Sequence, residues 1–215
     1  MRESGVGESC GERSGEGIDI GHDCHYTTHC GYYGAMSSFL VRDATEHDAA
    51  RCRDVYAPYV ESTAITFEEE VPSTDEMRSR ITAAQAAHAW LVLEDEQDQR
   101  VLGYAYAGPF AKRAAYRWAA EVSVYLAGGE GRRGGGRALY GALFPRLVDR
   151  GFRIAMACMT LPNEASVGLH ESLGFERVAT YPEIGWKLGA WHSTAWMQRR
   201  LPGASDPATP PAELR

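Results

Sequence analysis

From Val124 to Arg137 the chain reads Val-Tyr-Leu-Ala-Gly-Gly-Glu-Gly-Arg-Arg-Gly-Gly-Gly-Arg. Glycines let backbone approach a ligand closely, and successive amides at the start of a helix offer donors to an anion at the positive end of the helix dipole. Arg132, Arg133 and Arg137 add full charges, so the segment suits a diphosphate-bearing ligand. Slightly upstream, Glu121 stands just before the alternating Val122-Ser-Val-Tyr125 stretch. A carboxylate there is a candidate general base, against the alternative of an exposed strand-edge acid or a structural ion pair. His22, Cys24, His25, His29 and Cys30 form a metal-like cluster. It lacks the two separated pairs of a zinc finger, so no metal is assigned.

The glycine-rich loop admits more than one reading. Gly129-x-Gly131-x-x-Gly134 matches the G-x-G-x-x-G dinucleotide fingerprint, which would imply a nicotinamide or flavin enzyme. That fold needs an acidic residue ending the second strand, whereas the strand predicted over 154–159 runs into Thr160-Leu-Pro with no acid before Glu164. It also leaves the strands upstream of the loop without an explanation. A merely flexible loop is the remaining alternative.

The elements that must position these residues follow from periodicity. Alternation begins at Met36, giving a first strand, and 45–59 places Ala49, Cys52, Val55, Tyr56 and Tyr59 on one helical face with Thr45 as cap. Ser73-Thr-Asp-Glu76 has capping-box spacing and starts a second helix directly after Pro72. Ala89-Trp-Leu-Val-Leu and Val101-Leu-Gly-Tyr-Ala-Tyr flank a polar connection, as an antiparallel hairpin would, and 116–126 reads as a further strand. A helix over 134–150, a strand over 154–159, a helix over 163–173 and strands near 175–180 and 191–198 complete the order βααβββαβαββ. The helix over 134–150 contains Pro145 and is expected to kink there. The order implies an α/β fold with a mixed, mostly antiparallel sheet flanked by helices.

Composition bounds the rest. With 215 residues, 44% hydrophobic and 24% charged, the chain reads as one globular domain with tails. Residues 1–35 are rich in Gly, Ser and Glu and read as a disordered leader, 36–200 as the folded domain, and the Pro-rich 201–215 as a mobile tail. A formal charge of −7 argues against a nucleic-acid surface. No apolar run reaches membrane-spanning length and no signal-peptide block opens the chain, so neither membrane nor export is indicated and a cytoplasmic location is expected. Five scattered cysteines do not make a disulfide framework, and Cys52 and Cys158 read as buried thiols.

Arg133-Gly-Gly-Gly-Arg137 at a helix start resembles the pyrophosphate loop of the GCN5-related N-acetyltransferases (GNAT). The resemblance extends over residues 40–200 through Tyr106-Ala-Gly-Pro-Phe110, Ala115-Tyr-Arg-Trp118, Glu121-Val-Ser-Val-Tyr125, Leu161-Pro-Asn-Glu164, Val167-Gly-Leu-His-Glu171, Leu173-Gly-Phe175, Gly185-Trp-Lys187 and Trp191-His192, spaced as in the phosphinothricin N-acetyltransferase branch. It implies the acyl-CoA N-acyltransferase fold, acetyl-CoA as co-substrate without a metal, a small amino-acid-like amine as acceptor, and a homodimer. The acceptor it implies is phosphinothricin, methionine sulfoximine or a related amino acid, with another small amine as the alternative. A non-catalytic acyl-CoA-sensing module is the non-enzymatic alternative.

By the same resemblance Glu121 is the catalytic base, and His170 has a polar role near the active site, as proton relay or as a histidine held by core hydrogen bonds. Val124, Tyr125 and Leu126 offer backbone groups to the pantetheine arm where two strands splay. Arg132, Arg133, Gly134, Gly135, Gly136 and Arg137 hold the pyrophosphate, Asn163 caps its helix and contacts the cofactor, and Phe67, Arg113 and Tyr116 line the acceptor pocket. Two positions depart from the pattern: Gly131 stands where Gln or Arg is usual, which predicts weaker cofactor binding, and Ala111 where a second basic residue is usual. Lys112 is adjacent, but strand alternation would turn it the other way, which predicts shifted acceptor specificity.

Overall fold

The computed structural model describes residues 39–203 and 213–215. The leader over 1–35 and its His/Cys cluster lie outside the described residues.

The elements are β1 (Phe39–Asp43), α1 (Ala49–Ser62), α2 (Thr74–Ala87), β2 (Ala89–Asp95), β3 (Val101–Pro109), β4 (Ala119–Leu126), α3 (Gly135–Asp149), β5 (Ile154–Leu161), α4 (Glu164–Ser172), β6 (Glu176–Lys187) and β7 (Ala190–Arg200). This is the predicted order. The strands form one sheet ordered β1-β2-β3-β4-β5-β7-β6. Every neighbouring pair is antiparallel except β4 and β5.

Ser73 caps α2 as its spacing predicts: its Oγ accepts from the Glu76 amide at 3.1 Å. The reciprocal half of the box does not form, because the Glu76 carboxylate turns instead to Arg80 one helical turn on. Ser73→Ala leaves that amide without its acceptor and should cost about 1 kcal/mol, read as a lower urea midpoint at unchanged slope. At the other helical start, Thr45 and Asp48 belong to a short 3-10 turn, Glu46–Asp48, that precedes α1. The Asp48 carboxylate accepts from the Thr45 amide at 2.8 Å and from both terminal nitrogens of Arg42 at 2.8 Å. The same guanidinium reaches Glu94, so one part-buried ion-pair network joins β1, the turn before α1, and β2.

The sheet carries a core on each face. On one, Leu139, Leu143 and Leu147 of α3 recur at helical spacing and pack on Leu91, Ala105 and Ala155. On the other, Cys52, Val55 and Tyr56 of α1 and Met77 and Ile81 of α2 cover Trp90, Val92 and Tyr104. Helix α3 runs through Pro145 to Asp149, and α1 likewise contains Pro58.

Two expectations are corrected. Cys52 is buried, but Cys158 is exposed. Strand alternation puts Ala157 and Met159 into the α3 core and leaves Cys158 on the opposite face. The strand predicted over 116–126 begins at Ala119, because Ala114–Tyr116 form a 3-10 turn and the Arg117 guanidinium folds over the Trp118 ring, 3.7 Å from its centroid. The segment read as a tail is tied down at its described ends: Leu201 is buried, its amide bonded to the Arg153 carbonyl at 2.9 Å, and the Arg215 amide reaches the Arg150 carbonyl at 3.0 Å.

Candidate active site

Strands β4 and β5 pair only at Ala119↔Ile154, Ala120↔Ala155 and Glu121↔Met156. Beyond Glu121 they part, while β5 stays paired with β7 to Leu161↔Ser193. The Ala127 amide donates to the Leu102 carbonyl at 2.8 Å. Ladder alternation therefore turns the peptide groups of Ser123 and Tyr125 toward β3, and those of Val124 and Leu126 into the gap. Of the three residues expected along the pantetheine arm, Val124 and Leu126 present backbone there and Tyr125 does not. The side chain of Tyr125 packs instead with Tyr56 and Tyr59, at 4.9 and 5.2 Å between centroids. The Leu126 carbonyl is already taken by the Tyr59 hydroxyl at 2.6 Å. Sequence reading missed this role of Tyr59, whose bond spans 67 positions.

The loop after β4 delivers the chain to α3. Gly134, the N-cap, has φ +88°, a left-handed conformation that glycine adopts without strain. A Cβ on Gly135 would lie 2.6 Å from Leu93 Cδ2, and one on Gly136 3.0 Å from Leu169 Cδ2, so these glycines let α3 close on β2 and α4. The N-cap has no side chain to accept from the first-turn amides, and no acidic residue stands in that turn. Those amides and the dipole end are thus available to an anion.

The three arginines differ. Arg133 is paired with the buried Glu130 at 2.7 Å, and Arg137 donates to Ser172 Oγ at 2.8 Å. Arg132, at φ +64°, has no ion-pair partner among the described residues, and it neighbours the position where Gly131 departs from the usual pattern. Asn163 caps α4, its Oδ1 accepting from the Ser166 amide at 3.1 Å, which leaves its own amide N–H groups to meet a ligand. An unpaired strand edge, an open helix start and a glycine cradle form one continuous path that fits a pantetheine arm ending in a pyrophosphate.

Glu121 sits where the gap opens, half-buried, and burial raises its pKa above the ordinary carboxylate value. Its cross-strand partner on β3 is Gly108, which leaves room above the carboxylate. Cys158 shares its face, and desolvation, with the Glu121 charge adding, pushes that thiol up to about 11. At neutral pH the thiol is protonated and does not compete as a nucleophile.

The residues expected to line the acceptor pocket occupy separate places. Tyr116 meets Phe110 edge-on at 5.7 Å, and Phe110 meets Trp196 at 5.6 Å. Trp196 is the β7 partner of Cys158, so aromatic contacts lead from Tyr116 to β7, one strand beyond the β5 that pairs with Glu121. Phe67, in the connection between α1 and α2, lies on Gly185 of β6, where any Cβ would collide with its ring. That connection is held by the buried Lys187, whose Nζ donates to the Thr66 carbonyl at 2.8 Å. Arg113 precedes the 3-10 turn Ala114–Tyr116. Residues 110–113 lie past the end of β3 and outside any strand, so the alternation expected to turn Lys112 away from Arg113 does not operate.

His170 is buried, 4% exposed. Its Nδ1 meets the Ser166 carbonyl at 2.7 Å and its Nε2 the Tyr140 hydroxyl at 3.0 Å. The carbonyl can only accept, so Nδ1 carries the hydrogen and Nε2 accepts from Tyr140. Burial lowers the pKa of the ring, outweighing the Ser166 carbonyl, so the imidazole is neutral. With both nitrogens committed, it stands as a core histidine joining α4 to α3, and not as a relay open to the gap.

Residues 41–196 match the profile of the acetyltransferase (GNAT) domain. The chain is 37% identical over 163 residues to a phosphinothricin N-acetyltransferase of Streptomyces coelicolor, covering 75% of this chain and 95% of that protein. It is 31% identical over 161 residues to an L-methionine sulfoximine/L-methionine sulfone acetyltransferase of Salmonella typhimurium, covering 75% and 94%. Among solved structures, the phosphinothricin acetyltransferase of Sinorhizobium meliloti in complex with acetyl-CoA superposes with a TM-score of 0.76 at 36% identity, covering 81% and 94%. The chain belongs to the GNAT acetyltransferases, in their phosphinothricin N-acetyltransferase branch.

Proposed function

We propose that the protein acetylates the α-amino group of a small amino acid of the phosphinothricin or methionine sulfoximine type, by direct attack of the amine on the acetyl-CoA thioester. The half-buried Glu121 at the mouth of the β4–β5 gap carries this reading. An α-amino group with a pKa of ~8 is largely protonated at neutral pH, so a base is needed to release the nucleophile. Glu121 takes that proton before attack; the free amine then adds to the thioester carbonyl, the carbon–sulfur bond breaks, and the second amine proton passes to the departing thiolate. Acetyl-CoA supplies the acetyl group and a thiolate leaving group. A thiol of pKa ~8.5 leaves readily without a dedicated acid, in keeping with a buried His170 whose one N–H is bonded to the Ser166 carbonyl.

In this reading Val124 and Leu126 align the pantetheine arm, while Gly134, Gly135, Gly136, Arg132, Arg133 and Arg137 hold the pyrophosphate and Asn163 contacts the cofactor beside it. Phe67 and Tyr116 flank the acceptor, and Arg113 takes its carboxylate as a fork. Arg132→Ala should weaken acetyl-CoA binding about fivefold, the effect of about 1 kcal/mol from one solvent-screened charge, with kcat unchanged. Calorimetric titration with acetyl-CoA reads this, and unchanged affinity would remove Arg132 from the site.

A homodimer in the cytoplasm belongs to the same proposal. The β6–β7 hairpin exposes Tyr181, Ile184, Trp186, Leu188 and Trp191, a run of apolar side chains that a second copy would cover. Light scattering should give twice the 23.6 kDa chain mass. The decisive test of function is acceptor-dependent thiol release from acetyl-CoA, with phosphinothricin, methionine sulfoximine, other amino acids and polyamines as acceptors. Thiol release with none of them, despite acetyl-CoA binding, would favour a sensing module.

A further inference from the structure

The connection between α1 and α2, residues 63–73, contains no helix or strand, so no strand ladder fixes where it lies. Side chains from three elements hold it instead. From α1, the Tyr56 hydroxyl meets the Thr66 hydroxyl at 2.6 Å and donates to the Glu68 carboxylate at 3.1 Å. From α2, Arg80 donates to both oxygens of Glu68, at 2.7 and 3.1 Å. From β6, the Lys187 Nζ donates to the Thr66 carbonyl at 2.8 Å, with Lys187 only 5% and Thr66 8% exposed. Burying an ammonium is costly unless it is bonded, and the carbonyl it meets here belongs to the residue before Phe67.

Phe67 is the residue these bonds place. Its ring lies on Gly185 of β6 and stands 6.4 Å from the His192 ring of β7, centroid to centroid. Gly185 and His192 are cross-strand partners, and His192 Nε2 donates to the Lys187 carbonyl at 2.9 Å. On β7, Ala195 and Met197 enter the α3 core, and on β4 Ala120 and Val122 do the same. Alternation therefore turns His192 and Glu121 to the other face of the sheet, and Phe67 stands over that face. Tyr106 of β3 feels both sides of this space: burial raises its phenol, and the charges of Glu121 and of Glu68, the residue after Phe67, each add. The Phe67 ring remains 39% exposed, so it has surface to offer a ligand.

We propose that Lys187 is a positioning residue for the acceptor: its ammonium ties Thr66 to β6 and thereby sets Phe67 as a wall of the acceptor pocket over the face that bears Glu121. The inference rests on the proposed acetylation, with Phe67 flanking the acceptor. Lys187 acts through Phe67 and not on the reacting atoms, so its loss weakens acceptor binding and spares the chemical step. Without the tether the connection spends part of its time away from β6. An acceptor that needs the closed position then binds more weakly by the fraction of time that position is occupied. The glycine loop and the free edge of β4, which serve acetyl-CoA in the same reading, are untouched.

The test is Lys187→Met, which keeps an unbranched stem and removes the donors. Steady-state kinetics use acetyl-CoA with whichever of phosphinothricin and methionine sulfoximine the wild type turns over better. KM for the acceptor should rise about fivefold or more, while kcat and the KM for acetyl-CoA stay within about twofold. Phe67→Ala should raise the acceptor KM as well, and adding K187M to it should bring less than about a further twofold, because the tether acts through that ring. Hydrogen exchange supplies a readout besides turnover: the amides of 63–73 should exchange faster in K187M, with those of β4 and α3 unchanged. An unchanged acceptor KM, a fall in kcat with both KM values unchanged, or a full effect of K187M on top of F67A overturns the inference. Should K187M not fold, Lys187→Arg, whose longer planar head cannot meet the carbonyl at the same point, is held to the same split. Should the wild type bind acetyl-CoA and turn over neither acceptor, the acetylation reading fails and exchange alone judges the tether. Faster exchange confined to 63–73 then supports it, and unchanged exchange overturns it.

Discussion

Glu121→Gln should lower kcat by about 100-fold or more while leaving the affinity for acetyl-CoA unchanged. The substitution keeps the size of the side chain and removes only its capacity to accept the amine proton. The half-buried setting sharpens the expectation, because burial raises the Glu121 pKa. The base works only when ionised, so wild-type kcat should fall as pH drops through that raised value, above the usual carboxylate range. An amide at this position cannot titrate, so the residual activity of E121Q should lose that acid limb. Stability should move the other way. A carboxyl whose folded pKa is raised binds protons more tightly in the folded state, so its contribution is favourable at low pH and is lost as pH rises through the folded value. At neutral pH a neutral amide should therefore leave the protein as stable or slightly more so. A variant that keeps full turnover, or one that loses activity together with stability, would discard the base assignment.

His170→Ala should cost about 3 kcal/mol of stability, from a cavity in the core together with a buried hydroxyl left unpaired. The ring packs on Phe175 at 5.0 Å and on Tyr140 at 5.3 Å, and the Tyr140 hydroxyl finds its partner at His170 Nε2. Urea unfolding reads the loss directly. Its pH dependence supplies a second signature: the folded state holds the imidazole neutral by burial, so its pKa is lowered. The unfolded chain then binds the extra proton first, and stability falls as pH drops below about 6.5, the ordinary histidine value. H170A should lose this part of the slope. A variant of full stability with turnover reduced 100-fold would instead restore the relay role that the resemblance leaves open.

Glu121 and His170 mark where local pattern ends. The element order, the Ser73 cap, the strand bearing Glu121 and the glycine loop opening a helix are all written in short-range periodicity and turn chemistry, which depend on neighbours within one or two turns of chain. That is why the βααβββαβαββ order was legible without coordinates, while the family came from the resemblance carried by Arg133-Gly-Gly-Gly-Arg137 and the motifs spaced over residues 40–200. The commitments of individual side chains were not. Arg133 pairs with Glu130 because the loop folds back within three residues, a contact that no periodicity announces. His170 becomes a core residue because Tyr140 of α3, thirty positions away, meets its ring. Cys158 reads as one more apolar-strand residue until the register with β7 and the parting from β4 leave its face open beside Glu121. Lys187 reaches Thr66 over 121 positions. Periodicity tells which side of an element is apolar, but which partner that side meets depends on chain closure between distant segments, and packing alone decides it.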